Sequence, residues 1–222
     1  ADLDCYVDWC LAEQRAAFPA DPVTLVRYIE AKVKAKGPTV EVEIASLGVR
    51  GDGIADSALG RLYVPYAAPG DRLRVRLGAA KGDGFAASIT KLLRSGTGRV
   101  DPPCRHFRTC GGCTLQHVED TLYRNWKRAL VSGALHRRGL DPDCVQPLIA
   151  VAPRARRRVR FSARATKGGV KLGFFEPGSH RVVDIEDCLV VAPEITALLV
   201  PLRGLLGEVL PIGAASHVAV TL

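Results

Sequence analysis

Three cysteines fall within ten residues, Cys104, Cys110 and Cys113, in a C-x5-C-x2-C array that includes the pair Gly111-Gly112. Thiolates this close repel one another, so the chemistry they suit is the binding of a cationic metal or a metal–sulfur group. A fourth would close a tetrahedral set, and Cys188 in the stretch DIEDCLVVAP offers it from far along the chain. Structural zinc and a [4Fe–4S] cluster both accept four thiolates, and spacing leaves the two open. Three cysteines in one loop plus a remote one departs from the paired C-x2-C hooks usual for zinc and leans towards a cubane cluster. The bland alternative is a set of small buried thiols. His106 and His117 flank the array. With four cysteines at hand, both are expected outside the ligand set, beside it or on the surface.

The second group with chemical potential is basic. The chain carries a formal charge of +8, and residues 100–171 hold fifteen Lys and Arg against five Asp and Glu, leaving the remainder slightly acidic. A concentration of this kind beside the cysteines suits a polyanionic partner. Arg154, Arg156, Arg157, Arg158 and Arg160 have few acids near them in sequence, and Lys127 and Arg128 join them from a neighbouring segment. Guanidinium groups on a sheet face match phosphate spacing and stack on bases, so these seven residues are the candidate RNA contacts. A solvated charged face is the competing reading, and phosphate contacts of this kind position RNA without specifying its sequence.

The elements that must hold these groups follow from periodicity. Val159, Phe161 and Ala163 alternate with Arg158, Arg160, Ser162 and Arg164, and Lys167-Gly168-Gly169 turns the chain into Val170, which predicts a β-hairpin with one basic face. Residues 119–138 predict a helix with Leu122, Trp126, Ala129, Leu130 and Leu135 on an apolar face, stopped by Gly139. The stretch VVAPEITALLVPLRGLLGEVL predicts one helix entered at Pro193, with Leu198, Leu202, Leu205 and Leu206 as its stripe. A strand opens at His217.

Residues 38–98 read as four or five short strands. Val40, Val42 and Ile44 alternate with Glu41 and Glu43, and similar runs recur at 61–64, 71–77 and 85–91 between glycine turns. That density suggests a small closed barrel of the OB type, a fold whose face binds single-stranded nucleic acid. GVRGDGIA lacks the G-x-G-x-x-G frame between strand and helix and is not a phosphate loop.

CRHFRTCGGCTLQH, the arginine run at 156–160, GFFEPGSHRVVDIEDC and the following VVAP resemble the iron–sulfur subgroup of the RNA (uracil-5-)-methyltransferases over residues 39–222. IASLGVRGDGIAD and GRLYVPYAAPGDRLRVRL resemble the TRAM domain, an RNA-binding barrel in front of that family. The resemblance implies that Cys104, Cys110, Cys113 and Cys188 hold a [4Fe–4S] cluster and that the RNA is 23S rRNA. In the family a Rossmann-like domain follows, binds S-adenosyl-L-methionine and carries a cysteine nucleophile and a general base. This chain stops inside the strand at 217–222, so that domain is expected to be absent and the fragment inactive alone. Cys144 lacks the family's surrounding motif and a neighbouring base, and no catalytic residue is assigned.

The architecture expected is thus mixed β and α+β: a helical extension at 1–37, an OB-like TRAM barrel at 38–98, and an α+β iron–sulfur central domain at 99–222. In the extension, FPADP separates two helical runs, with Asp21 and Pro22 opening the second. Its sequence faintly resembles the first helices of tyrosine recombinases and not the methyltransferase family, which suits either a fused segment or an extension particular to this protein that packs on the next domain.

No run of about 18 apolar residues is present and the N-terminus lacks a basic-then-apolar leader, so a membrane span and a signal peptide are not supported. Seven cysteines, an odd number, suit free or metal-bound thiols in a cytoplasmic protein better than a disulfide framework. Two functions remain. One is the RNA-recognition portion of a 23S rRNA (uracil-5-)-methyltransferase. The other is a stand-alone RNA-binding metalloprotein with a structural four-cysteine zinc or iron–sulfur site.

Overall fold

The computed structural model describes residues 37–222, in two compact units divided between Thr97 and Gly98. The helical pair expected at 1–37 lies, apart from Gly37, outside the described residues.

The described part of the first unit is built on six strands: β1 (Thr39–Glu43), β2 (Ser46–Leu47), β3 (Gly53–Ser57), β4 (Gly60–Val64), β5 (Arg72–Lys81) and β6 (Gly84–Arg94). They form one sheet in the order β1-β5-β6-β4-β3-β2, antiparallel except where β4 meets β6. The two edge strands, β1 and β2, are separated in sequence only by Ile44 and Ala45, so the sheet must curl until its edges meet. Register shifts along the β5–β6 pair supply the bending that closure needs. Alternation then sorts the side chains. Leu73, Val75 and Leu77 of β5 are buried with Val42, Ile44, Leu62 and Val64, while Arg72 and Arg74 point out and pair with Glu41.

One polar group is taken into this unit. Asp71 is fully buried, and its carboxylate accepts the Ala68 N–H at 2.7 Å and the Gly96 N–H at 3.0 Å. A Cβ on Gly96 would stand 2.3 Å from the Gly70 carbonyl carbon, so only glycine lets the end of the unit close on this turn.

The second unit holds a four-stranded antiparallel sheet, in the order β10 (Ala215–Thr221), β7 (Arg158–Thr166), β8 (Gly169–Phe175) and β9 (Val182–Asp184). Val159, Phe161, Ala163 and Ala165 of β7 are buried, and Arg158, Arg160 and Arg164 are exposed, as the alternation predicts, whereas Ser162, expected on the basic face, is buried beside His217 of the neighbouring strand. The strand beginning near His217 is β10, paired with β7 from Arg158 to Arg164. Two helices complete the core: α2 (Pro193–Ala197) contributes Ile195, and α3 (Leu199–Val209) contributes Leu199 and Leu206.

Two expectations are corrected here. The helix predicted as one piece after Pro193 divides at Leu198, because Pro201 brings no N–H and crowds the turn before it. Half of its predicted stripe holds, with Leu206 buried and Leu202 packed on the core, while Leu198 and Leu205 are 39% and 56% exposed and Ile195 and Leu199 take their place. The basic helix α1 (Asp120–His136), capped by the Glu119 carboxylate, buries none of its residues. Its apolar face is only half-covered, and Ala129 is exposed. Among the described residues no helix is long and apolar enough to cross a membrane.

Candidate metal centre

The loop carrying the first three cysteines is made of tight turns. The Phe107 N–H donates to the Cys104 carbonyl at 3.0 Å, the Cys110 N–H to the His106 carbonyl at 2.8 Å, and the Gly111 N–H to the Phe175 carbonyl at the end of β8, also at 2.8 Å. The last bond seats the loop on the sheet. A Cβ on Gly111 would lie 2.8 Å from that same carbonyl oxygen, so the glycine is required for the approach, not for a turn conformation.

Cys188 arrives from the other side. It follows β9 and precedes Val191, which bridges to Arg156 through the Arg156 N–H to Val190 carbonyl and Ala192 N–H to Arg156 carbonyl bonds, both 3.0 Å. The Asp187 carboxylate accepts the Cys188 N–H at 2.8 Å and is itself held by Arg154, at 3.0 and 2.7 Å. Arg154 draws the Asp187 carboxyl below its usual range, chiefly through that hydrogen bond.

These two segments face one cavity of about 30 Å³, and Cys104, Cys110, Cys113 and Cys188 all line it, with His106, Gln116, Arg156 and Phe174 among their neighbours. All four are free thiols and half-buried. Burial pushes the Cys110 and Cys113 thiols up, and the proximity of the other cysteines pushes the same way. Opposing this, the Gly112 N–H donates to Cys110 Sγ at 3.4 Å, and the Gln116 side chain and Arg156 charge favour the Cys113 thiolate. Among the described residues no three His, Cys, Asp or Glu side chains converge as the shell of a single ion would. The thiols are distributed round the cavity wall.

Two further features of the wall bear on what it could hold. His106 Nε2 and Gln116 Oε1 are buried with no hydrogen-bond partner in the protein. Buried polar atoms left in this way call for a partner outside the polypeptide. The cavity, larger than one water requires, was also not closed by the soft apolar packing that ordinary buried thiols favour. Four thiols and two unpartnered polar atoms round an open space fit a bound group that needs four thiolates. His117, by contrast, is fully buried and packs its ring on Phe107 at 5.5 Å between centroids, so it is a core residue and not a surface one.

The arginines separate into different roles. Arg154 is committed to Asp187, so the expected shortage of acids does not hold there. Arg156, Arg157, Arg158 and Arg160 line an open groove of about 690 Å³ with Val159, Phe174, Thr221 and Leu222. Among the described residues none of these four has a carboxylate partner. The Arg157 guanidinium donates to the Leu222 carbonyl at 3.4 Å. Lys127 and Arg128 are elsewhere: Lys127 stands over the Tyr123 and Trp126 rings, 5.7 and 5.0 Å from their centroids, and Arg128 donates to the Val145 carbonyl at 2.9 Å. Sequence reasoning missed Phe174, which reads as an ordinary core residue of a strand, although it lines both the cysteine cavity and the groove.

No family model matches the chain. It is 46% identical over 165 residues to a protein of Brucella suis named as an RNA methyltransferase, an alignment covering 74% of this chain and 38% of that one. It is 36% identical over 166 residues to a 23S rRNA (uracil(1939)-C(5))-methyltransferase of Halomonas elongata, covering 73% and 34% of the two chains. With the protein of the same name from Pectobacterium atrosepticum it shares 37% identity over 190 residues, covering 84% and 42%. A solved structure of a tRNA (uracil-54, C5)-methyltransferase of Pyrococcus abyssi, in complex with S-adenosyl-L-homocysteine, aligns with a TM-score of 0.48 and 26% identity over 76% of this chain and 37% of that one. The chain spans about two fifths of the length of the curated relatives it matches.

Proposed function

We propose, from the premise that this chain belongs to the RNA methyltransferase family, that it is the RNA-recognition portion of a cytoplasmic enzyme forming 5-methyluridine in 23S rRNA. In this reading Cys104, Cys110, Cys113 and Cys188 hold a [4Fe–4S] cluster, and the curled sheet of residues 39–94 is an OB-like TRAM barrel that binds RNA. S-adenosyl-L-methionine supplies the methyl group, and neither its binding nor the uracil chemistry is assigned to any residue of this chain. The chain's own residues bind and orient the polyanion: Arg156, Arg157, Arg158 and Arg160 neutralise phosphates along the groove. The cluster ties the loop of Cys104, Cys110 and Cys113 to the Cys188 segment, so its binding energy becomes folding energy for the sheet between them.

The observation that carries this reading is the meeting of four cysteines from two distant segments at one cavity beside an arginine-lined groove. The test is the iron, sulfide and zinc content and visible spectrum of the chain purified without oxygen, together with its affinity for RNA. About four irons per chain, broad visible absorption and salt-dependent RNA binding are expected. One zinc in a colourless protein that still binds RNA would replace the enzyme reading with that of a structural RNA-binding module.

A further inference from the structure

Two side chains belong to both features of the second unit. Arg156 and Phe174 line the cavity of the four cysteines and also the basic groove, so they form the partition between the two. Phe174 fills that partition with apolar bulk, its ring 5.5 Å from the buried Phe161 ring. Arg156 puts a charge in it. The guanidinium has no carboxylate partner among the described residues, and Arg156 shares the cavity wall with Cys113. Its backbone is fixed on both sides by the 3.0 Å bonds to Val190 and Ala192, two and four residues beyond Cys188. The charge is therefore held between two sites that both attract it, an anionic set of sulfur ligands and a groove suited to phosphates.

From this shared position we infer that occupation of the groove by RNA and the electronic state of the cysteine centre are thermodynamically coupled, with Arg156 carrying the coupling. The inference rests on the cluster and RNA assignments proposed above. Its physics is electrostatic. A phosphate paired with Arg156 cancels part of the positive potential that the guanidinium projects on the sulfur ligands. The centre then accepts an additional negative charge less readily, and its reduction potential falls. Linkage requires the converse: adding one electron to the centre weakens RNA binding by the same factor. Arg157, Arg158 and Arg160 line the groove but not the cavity, so they contribute affinity with little coupling.

The test is a potentiometric titration of the iron-loaded chain with dithionite as the electron donor, with and without a saturating single-stranded RNA 12-mer. Saturation is verified in the same samples by fluorescence anisotropy. RNA is expected to lower the midpoint by about 59 mV, the equivalent of a tenfold weaker affinity for the one-electron-reduced chain. Arg156→Gln should bind RNA more weakly and, once saturated, lose most of the shift, and Arg156→Lys should regain it. Arg158→Gln should weaken binding and, at saturation, keep the shift. An unchanged midpoint under verified saturation overturns the coupling while leaving the RNA reading intact. A shift equal in Arg156→Gln and the wild type overturns the role of Arg156. Failure of RNA to bind at low salt overturns the functional reading, and the coupling with it.

Discussion

Arg154 and Asp187, 33 residues apart in sequence, meet in a two-pronged ion pair, with Nη1 to Oδ1 at 3.0 Å and Nη2 to Oδ2 at 2.7 Å. The same carboxylate accepts the N–H of Cys188. A surface pair of this exposure adds little to global stability. Its consequence is local, because it fixes the backbone that presents the fourth cysteine.

Arg154→Gln is therefore expected to leave the melting temperature within a few degrees of wild type while making the centre labile. Iron retained after a fixed exposure to a chelator measures this, and retention equal to wild type would remove the pair from any role at the centre.

Gly111→Ala places a Cβ against the Phe175 carbonyl, 2.8 Å away, in backbone that cannot give without breaking the Gly111 to Phe175 hydrogen bond. Overpacking of this kind costs about 1–3 kcal/mol. Denaturant unfolding of the second unit should show that loss, together with a lower metal content as isolated.

The two units have separate cores, so core truncations should act separately. Phe161→Ala removes a fully buried ring and is expected to destabilise the second unit by about 3–5 kcal/mol, and Leu62→Ala the first by about 2–5 kcal/mol. Hydrogen exchange resolved by segment distinguishes them. Equal loss of protection across both units in either variant would contradict the separation.

Replacing Arg158 and Arg160 with glutamine removes two groove cations without touching the buried face of β7. RNA affinity should fall, and the slope of log K against log salt should become shallower by about 0.7 for each phosphate no longer neutralised. A lower affinity with an unchanged slope would mean that these arginines do not meet phosphate.

Acid should fray helix α1 from its start. The N–H groups of Thr121 and Leu122 donate to the Glu119 carboxylate at 2.9 and 2.8 Å and hold its pKa below the ordinary value. The folded pKa is the depressed one, so the stabilisation is complete above the unfolded value of about 4.3 and is lost as pH falls through the lower folded value. Exchange protection of the first helical turn should drop over that interval in the wild type. In Glu119→Gln it should not depend on pH there.

Much of the local structure was legible because it depends on near neighbours. Alternation named Val42 of β1 and Val159, Phe161 and Ala163 of β7 as buried, since a strand with one buried face repeats every second residue, but it put Ser162, which is buried, on the exposed face. Strand β3 was not found, because its inward residues Gly53 and Ala55 are too small to mark a hydrophobic face, and its partner β2 is only two residues long. The basic helix was found and its environment misjudged. An apolar stripe states what a helix could bury, while the amount it buries depends on what is brought against it.

By itself, then, the amino-acid sequence determined the chemistry on offer: three closely spaced thiols and a remote fourth of the kind that suits a metal or metal–sulfur group, a strand with arginine on one face, and short strands rich in turns. Only the tertiary structure decided which groups meet. It took Arg154 out of the set of free cations by supplying Asp187, set the strand order β1-β5-β6-β4-β3-β2 with its one parallel pair, and made Arg156 and Phe174 a common wall of cavity and groove. The reason is that periodicity and spacing act over a few residues. Pairing across 33 residues is set by how two irregular segments run side by side at the Arg156–Val191 bridge, which no local pattern encodes.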